Sequence, residues 1–249
     1  MSYTLNWLHS YRLLLQWQAL RLKPILPFIL VIQPLVGIGT VIGLGYMMPQ
    51  INTQSAIFLT TGGPTLALIT FGLVMVPQVV ADAKTQGTFD YMWSLPIPRM
   101  AFMAADMTIW MLITLPGVVL ALLVGSLKYD FALQVTPSVV PAFLLVSLTA
   151  TAIGYAIAHL SPKPELVAVL TNFIIFSLFL FSPINFPAER LPEWLADLHQ
   201  LLPVKYAADA IRGSLTEAYA AGLGRALIVL AVWCVASLAA TYTVVSRRR

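Results

Sequence analysis

The side chains with which this chain could do chemistry are few and scattered. Its histidines are His9, His159 and His199, its one cysteine is Cys234, and Asp106 is a carboxylate at the edge of an apolar run. A metallohydrolase would show ligands at helical spacing, as in H-E-x-x-H, and a serine hydrolase a G-x-S-x-G nucleophile; neither pattern occurs. No G-x-x-x-x-G-K-[ST] loop is present to cradle nucleotide phosphates. Ion-coupled carriers place ionisable groups near the bilayer midplane. Here Asp106 and His159 fall at the ends of apolar runs, where an interfacial side chain reaching water is the expectation. Cys234, alone within the last apolar run, reads as a packing residue.

Polarity collects instead in residues 81–100, ADAKTQGTFDYMWSLPIPRM. Lys84, Gln86, Thr88 and Asp90 are interleaved with Phe89, Tyr91, Met92, Trp93 and Leu95, Gly87 breaks the run early, and Pro96 and Pro98 close it. The pattern predicts a short amphipathic surface helix in contact with something water-soluble. A second amphipathic region lies between residues 185 and 221. There Pro192 suits a first helical turn, Glu193 suits the positive helix end, and Leu191, Trp194, Leu195, Leu198 and Leu202 form an apolar stripe. A further short helix is expected after Pro203, through Tyr206, Ala210 and Ile211, both helices lying in or dipping into the outer leaflet.

The elements that must position these stretches are membrane spans. The 249 residues are 59% hydrophobic and 10% charged, with mean hydropathy +0.85, outside the balance of soluble domains. Apolar runs at about 25–46, 55–80, 102–125, 137–159, 166–184 and 224–245 are each close to the roughly 20 residues that cross a bilayer as a helix. The expectation is an all-α membrane protein of six spans forming a single permease domain, 1–249. Residues 1–24 would be an N-terminal interfacial helix that stays attached. Pro34, Pro64, Pro77, Pro116 and Pro141, with Gly62 and Gly63, are expected to interrupt helical hydrogen bonding in or near spans. Thr70, Gln78 and Asn172 are neutral polar groups within spans, fit for interhelical hydrogen bonds or for lining a path.

Six spans put both termini on one side. With that side cytoplasmic, nine of the fourteen Lys and Arg are inside (Arg12, Arg21, Lys23, Lys84, Arg99, Lys163 and Arg247 to Arg249) and five outside (Lys128, Arg190, Lys205, Arg212 and Arg225). The net charge of +4 is then a topological signal rather than a nucleic-acid surface.

Two stretches together resemble the type-2 ATP-binding cassette (ABC) exporter permeases. Ala83-Lys-Thr-Gln-Gly-Thr-Phe-Asp-Tyr-Met-Trp-Ser-Leu-Pro-Ile-Pro-Arg99 is similar to the family's Gly-Thr, apolar, Leu-Pro-apolar-[Ser/Pro]-Arg loop between spans two and three. Phe186-Pro187, Leu191-Pro192, Trp194 and Leu202-Pro203-Val-Lys-Tyr206 are similar to its sequence ahead of span six. The acidic residue that the family often carries before Gly-Thr is replaced by neutral Thr85 and Gln86.

The resemblance implies that residues 81–100 are a coupling helix seated in a cytoplasmic ABC ATPase subunit. Lys84, Gln86, Gly87, Thr88, Phe89, Met92 and Trp93 would make that contact. ATP and Mg would be bound by the partner, with no cofactor in this chain. Two permeases, identical or related, would pair in a bacterial cell membrane, with Thr70, Asn172, Phe173 and Phe176 along the route and Pro187, Trp194 and Tyr206 at an extracytoplasmic gate. The implied cargo is amphipathic or lipid-like: a drug, a lipid or a lipid-linked glycan. A secondary transporter or channel independent of ATP, and a membrane assembly or signalling subunit, are the other function classes open to such a sequence.

Overall fold

The structure is a computed structural model and describes residues 2–48, 50–88, 91, 94–95, 97–161 and 163–247, with side chains from Trp7 to Thr243. Phe89, Asp90, Met92, Trp93 and Pro96 therefore lie outside the described residues. Helix α1 is Ser2–Leu22 and α2 Leu26–Met47. Helix α3, Thr53–Thr70, passes through a π-turn at Phe71–Met75 into α4, Val76–Thr85. Then follow α5 (Arg99–Lys128), α6 (Val139–Leu160) and α7 (Pro164–Phe181). A 3-10 turn at Ala188–Arg190 leads to α8 (Glu193–Leu201) and α9 (Pro203–Leu215). A second such turn, Glu217–Gly222, leads into α10 (Leu223–Arg247).

Six of these segments are long and apolar enough to cross a membrane: Leu26–Met47, Thr53–Thr85, Arg99–Lys128, Val139–Leu160, Pro164–Phe181 and Glu217–Thr243. The protein is an all-α integral membrane protein. The second and third spans have 33 and 30 residues, and at about 1.5 Å per residue both exceed a hydrocarbon core of about 30 Å. Polar residues at the end of α4 and at the start of α5 mark one end of that excess.

Small residues let the helices approach. Along α5, Gly117, Ala121 and Gly125 form a stripe with four-residue spacing. A Cβ on Gly117 would lie 1.9 Å from Gln33 Oε1 of α2, one on Gly37 of α2 would lie 2.8 Å from Ala121, and one on Gly125 would lie 2.9 Å from Thr60 of α3. Gly154 of α6 faces the π-turn, where an added Cβ would come 2.1 Å from the Gly72 carbonyl oxygen. With lipid as apolar as any side chain, such close backbone packing is what holds membrane helices together. The largest core joins α3, α6, α9 and α10 through Leu66, Ile69, Val146, Ala150, Ala207, Ile211 and Leu230.

Pro34, Pro64 and Pro116 sit inside helices that run on past the missing N–H. In the second span the irregularity is the π-turn just ahead of Pro77. Proline lacks an N–H and its ring crowds the carbonyl four residues back, so the ladder is displaced there. Helix α1 also does more than lie on lipid: Leu14, Gln18 and Leu22 are buried, and Leu14 packs with Ala101, Phe102 and Ala105 of α5.

Candidate functional site

Most of the described residues between α4 and α5 are exposed. Helix α4 ends because Gly87 adopts φ +71°, a left-handed conformation natural to glycine, while the amide of Gln86 donates to Asp82 O at 3.0 Å and that of Gly87 to Lys84 O at 3.2 Å. The chain restarts at once. Thr88, Tyr91 and Ser94 are helical, with the Tyr91 amide donating to Gly87 O at 3.0 Å. Gln86, Gly87, Tyr91 and Leu95 are exposed and Thr88 is half-buried.

Lys84 differs from its neighbours. Its Nζ donates to Ala158 O at 2.5 Å, placing a cation at the negative end of α6. It therefore anchors α4 to α6. The other side is fixed by α5 itself, which begins at Arg99 with the amides of Ala101 and Phe102 on Pro98 O.

Directly beneath lies a polar cluster. Asp106, 6% exposed, accepts from Gln18 Nε2 of α1 at 2.6 Å, from Trp110 Nε1 at 3.1 Å, and from the Tyr155 hydroxyl of α6. His159 is also buried, its Nδ1 2.8 Å from Tyr155 O and its ring stacked on Tyr155 at 5.9 Å. The expectation that Asp106 and His159 reach water is overturned. Asp106 is enclosed because α1 packs over the start of α5, and His159 is buried against Tyr155 within α6. Asp106 thus ties α1, α5 and α6 together next to the place where Lys84 ties α4 to α6.

At the opposite end of the bundle the residues of the predicted gate are dispersed. Pro187 is half-buried and its carbonyl accepts from the Arg190 amide at 3.1 Å. Trp194, on α8, is 69% exposed, whereas Tyr206, on α9, is buried with its hydroxyl donating to Gln200 O at 2.8 Å. The α8 stripe turns only Leu195 inward together with His199; Leu198 and Trp194 stay exposed. By contrast α9 is buried for nearly its whole length and is wedged between α3, α6 and α10.

Its buried cation, Arg212, was counted from sequence as an outside loop charge. It donates instead from Nη2 to Ile184 O at 2.7 Å and from Nη1 to Asp209 Oδ1 at 3.3 Å, and its guanidinium stacks 3.7 Å from the Phe58 ring centre. Burial lowers the Arg212 pKa to about 10, opposed by Asp209 and Tyr219; burial raises that of Asp209, opposed by Arg212 and Lys205. The only sequence signal for this was an Asp three residues before an Arg on an amphipathic helix.

The predicted route residues divide between two cavities. Thr70 and Asn172 line one of about 570 Å³ bounded by α2, the second span, α5 and α7. Phe173 lines another, about 600 Å³, between α7, α8, the start of α9 and Trp233 of α10. Phe176 lines neither and is 65% exposed on the outer face of α7. Gln33, missed from sequence, joins Thr70 and Asn172.

A six-span helical membrane protein with an exposed, doubly anchored segment after its second span, and with short helices packed in before its sixth, has the organisation of a transport permease. The chain belongs to the ABC-2 type transporter family, whose model matches residues 7–216. No curated protein matches it.

Proposed function

We propose that this chain is the membrane half of an ATP-driven exporter whose ATPase is a separate polypeptide docked on residues 84–93. The observation that carries this is the turn at Gly87. It stops α4 and restarts the chain at once, with Thr88, Tyr91 and Ser94 helical between α4 and α5 and Gln86, Gly87, Tyr91 and Leu95 exposed. Motion imposed on such a segment passes to the second and third spans as rigid bodies. Lys84, Gln86, Gly87 and Thr88, with Phe89, Met92 and Trp93, form the proposed docking surface; ATP and Mg belong to the partner. Arg212 is withdrawn from the outside count by its burial. That leaves nine cations against four, with the segment and both termini cytoplasmic.

Export of an amphipathic or lipid-like substrate by a pair of permeases agrees with the apolar cavities. Purification of the tagged chain together with its native ATPase tests the reading. Gly87→Pro, which cannot adopt φ +71°, and Trp93→Arg should each reduce co-purified ATPase at least tenfold while the permease keeps its elution profile. ATPase retained by both variants contradicts the proposed surface.

A further inference from the structure

We propose that the cavity between α7, α8 and α10 binds a neutral phenol with an apolar aromatic body, its hydroxyl donating to His199 Nε2. The site goes beyond the exporter reading and does not depend on it. The cavity holds about 600 Å³, room for one small ligand. It shares no lining residue with the cavity at Thr70 and Asn172. At 3.6 residues per turn, Phe173, Ser177 and Phe181 fall on the face of α7 opposite Asn172 and Ile175.

The polar side chains in the lining are Ser177, Ser182, His199 and Trp233. Trp233 Nε1 is committed to Leu201 O at 3.1 Å, and Ser182 Oγ is sealed within the protein. His199 is 6% exposed, with Nδ1 2.8 Å from Leu195 O one turn back on α8. A carbonyl only accepts, so Nδ1 carries the hydrogen and Nε2 of the neutral ring is an acceptor. That nitrogen has no partner among the described residues and, unlike Ser182 Oγ, is not shut off from the cavity. A buried acceptor bonded to nothing calls for an explanation. A water molecule is a poor occupant, because it needs about two to four polar partners and, beyond His199, only the half-buried Ser177 remains. A ligand hydroxyl that donates to Nε2 and leaves the rest of the cavity to apolar atoms supplies the explanation.

The walls choose the body of the ligand. Phe173, Phe181, Trp194 and Trp233 present rings beside Leu and Ile side chains, and aromatic pairs pack favourably edge-on or offset. No lining residue carries a carboxylate, an ammonium or a guanidinium, so a charged ligand would be buried without a counter-ion. Phe173, Phe181, Trp194 and Leu198 line the cavity and are exposed, which opens it sideways between α7 and α8. An apolar phenol enters there and joins α8 to α7, the least buried of the six spans.

The test uses the full chain in lipid nanodiscs and follows tryptophan fluorescence, since Trp194 and Trp233 line the cavity. The probes are a brominated hydroxybiphenyl and its methyl ether, which keeps the rings and lacks the donor. The phenol should quench saturably and the ether only in proportion to its concentration in the bilayer. His199→Leu should raise the half-saturating phenol concentration by about tenfold, the worth of one buried hydrogen bond, and His199→Gln, whose Oε1 still accepts, by less. Ser177→Phe, which fills part of the cavity from α7, should abolish saturation and decides the matter if neither His199 variant folds. Equal saturation by phenol and ether, unchanged half-saturation in the folded variants, or no saturable quenching by the phenol overturns the proposal. No ATPase is needed for any of these measurements, so their failure leaves the exporter reading standing.

Discussion

Two buried charges, Asp106 and Arg212, hold opposite ends of the same bundle in different ways. Asp106 gathers Gln18, Trp110 and Tyr155 from three helices onto one carboxylate. Arg212 joins its own helix to a single carbonyl, Ile184 O, pairs with Asp209 within that helix, and rests on Phe58 and Tyr219. The first arrangement locks together the helices beside the proposed docking segment. The second pins α9 to the loop that leaves α7. Between them α7 buries only Val167, Thr171 and Leu178, so this span, which with the second span lines both cavities, is the least buried of the six. A transporter of this build would move as a stiff docking end working against a loosely held wall.

The largest expected effect is at the first charge. Asp106→Ala leaves three buried donors without an acceptor and should destabilise by about 3–5 kcal/mol. Asp106→Asn, which keeps one oxygen acceptor and puts an NH2 donor in place of the other, should lose about half of that. Thermal unfolding of the purified chain in detergent measures both, and equal losses would mean that the carboxylate is not what joins α1 to α6.

Arg212→Met keeps much of the volume but drops the bond to Ile184 O and the stacking on Phe58, for about 2–3 kcal/mol. Lysine should restore little, lacking the planar fork. A loss at Arg212 larger than at Asp106, in the same unfolding assay, would reverse the order of the two ends.

Smaller again, Gly154→Ala drives a methyl into the Gly72 backbone and should cost about 1–3 kcal/mol. Gly43→Ala, with nothing within 4 Å, should be neutral or slightly stabilising. Equal effects at the two glycines would show that the π-turn yields to α6 and that this contact is not rigid.

The spans were legible because length and apolarity alone make a membrane helix; Leu26–Met47 and Val139–Leu160 lie within about two residues of where the apolar runs place them. The stop at Gly87 was legible because glycine is suited to a left-handed turn. The two charge clusters were not. Nothing near Asp106 in the sequence says that Gln18 and Tyr155, 88 and 49 residues away, will reach it. Arg212 likewise looks like any loop arginine until α9 is seen to enter the bundle. Hydropathy reports what a segment prefers, whereas burial of a charge depends on which distant helices close over it. Gln33 was hidden for the same reason: it is one amide in an apolar run, distinguished only by the cavity that it shares with Thr70 and Asn172.

The docking surface is tested most directly by cross-linking. With Cys234 replaced by serine, a cysteine is placed either at Thr88, beside the Gly87 turn, or at Leu127, which is 82% exposed at the far end of α5. Each variant, co-expressed with its native ATPase, is treated in membranes with a short thiol-to-amine cross-linker. The account predicts an ATPase adduct from position 88 and none from position 127; an adduct from 127 alone, or from neither position in a complex that still co-purifies, would contradict it.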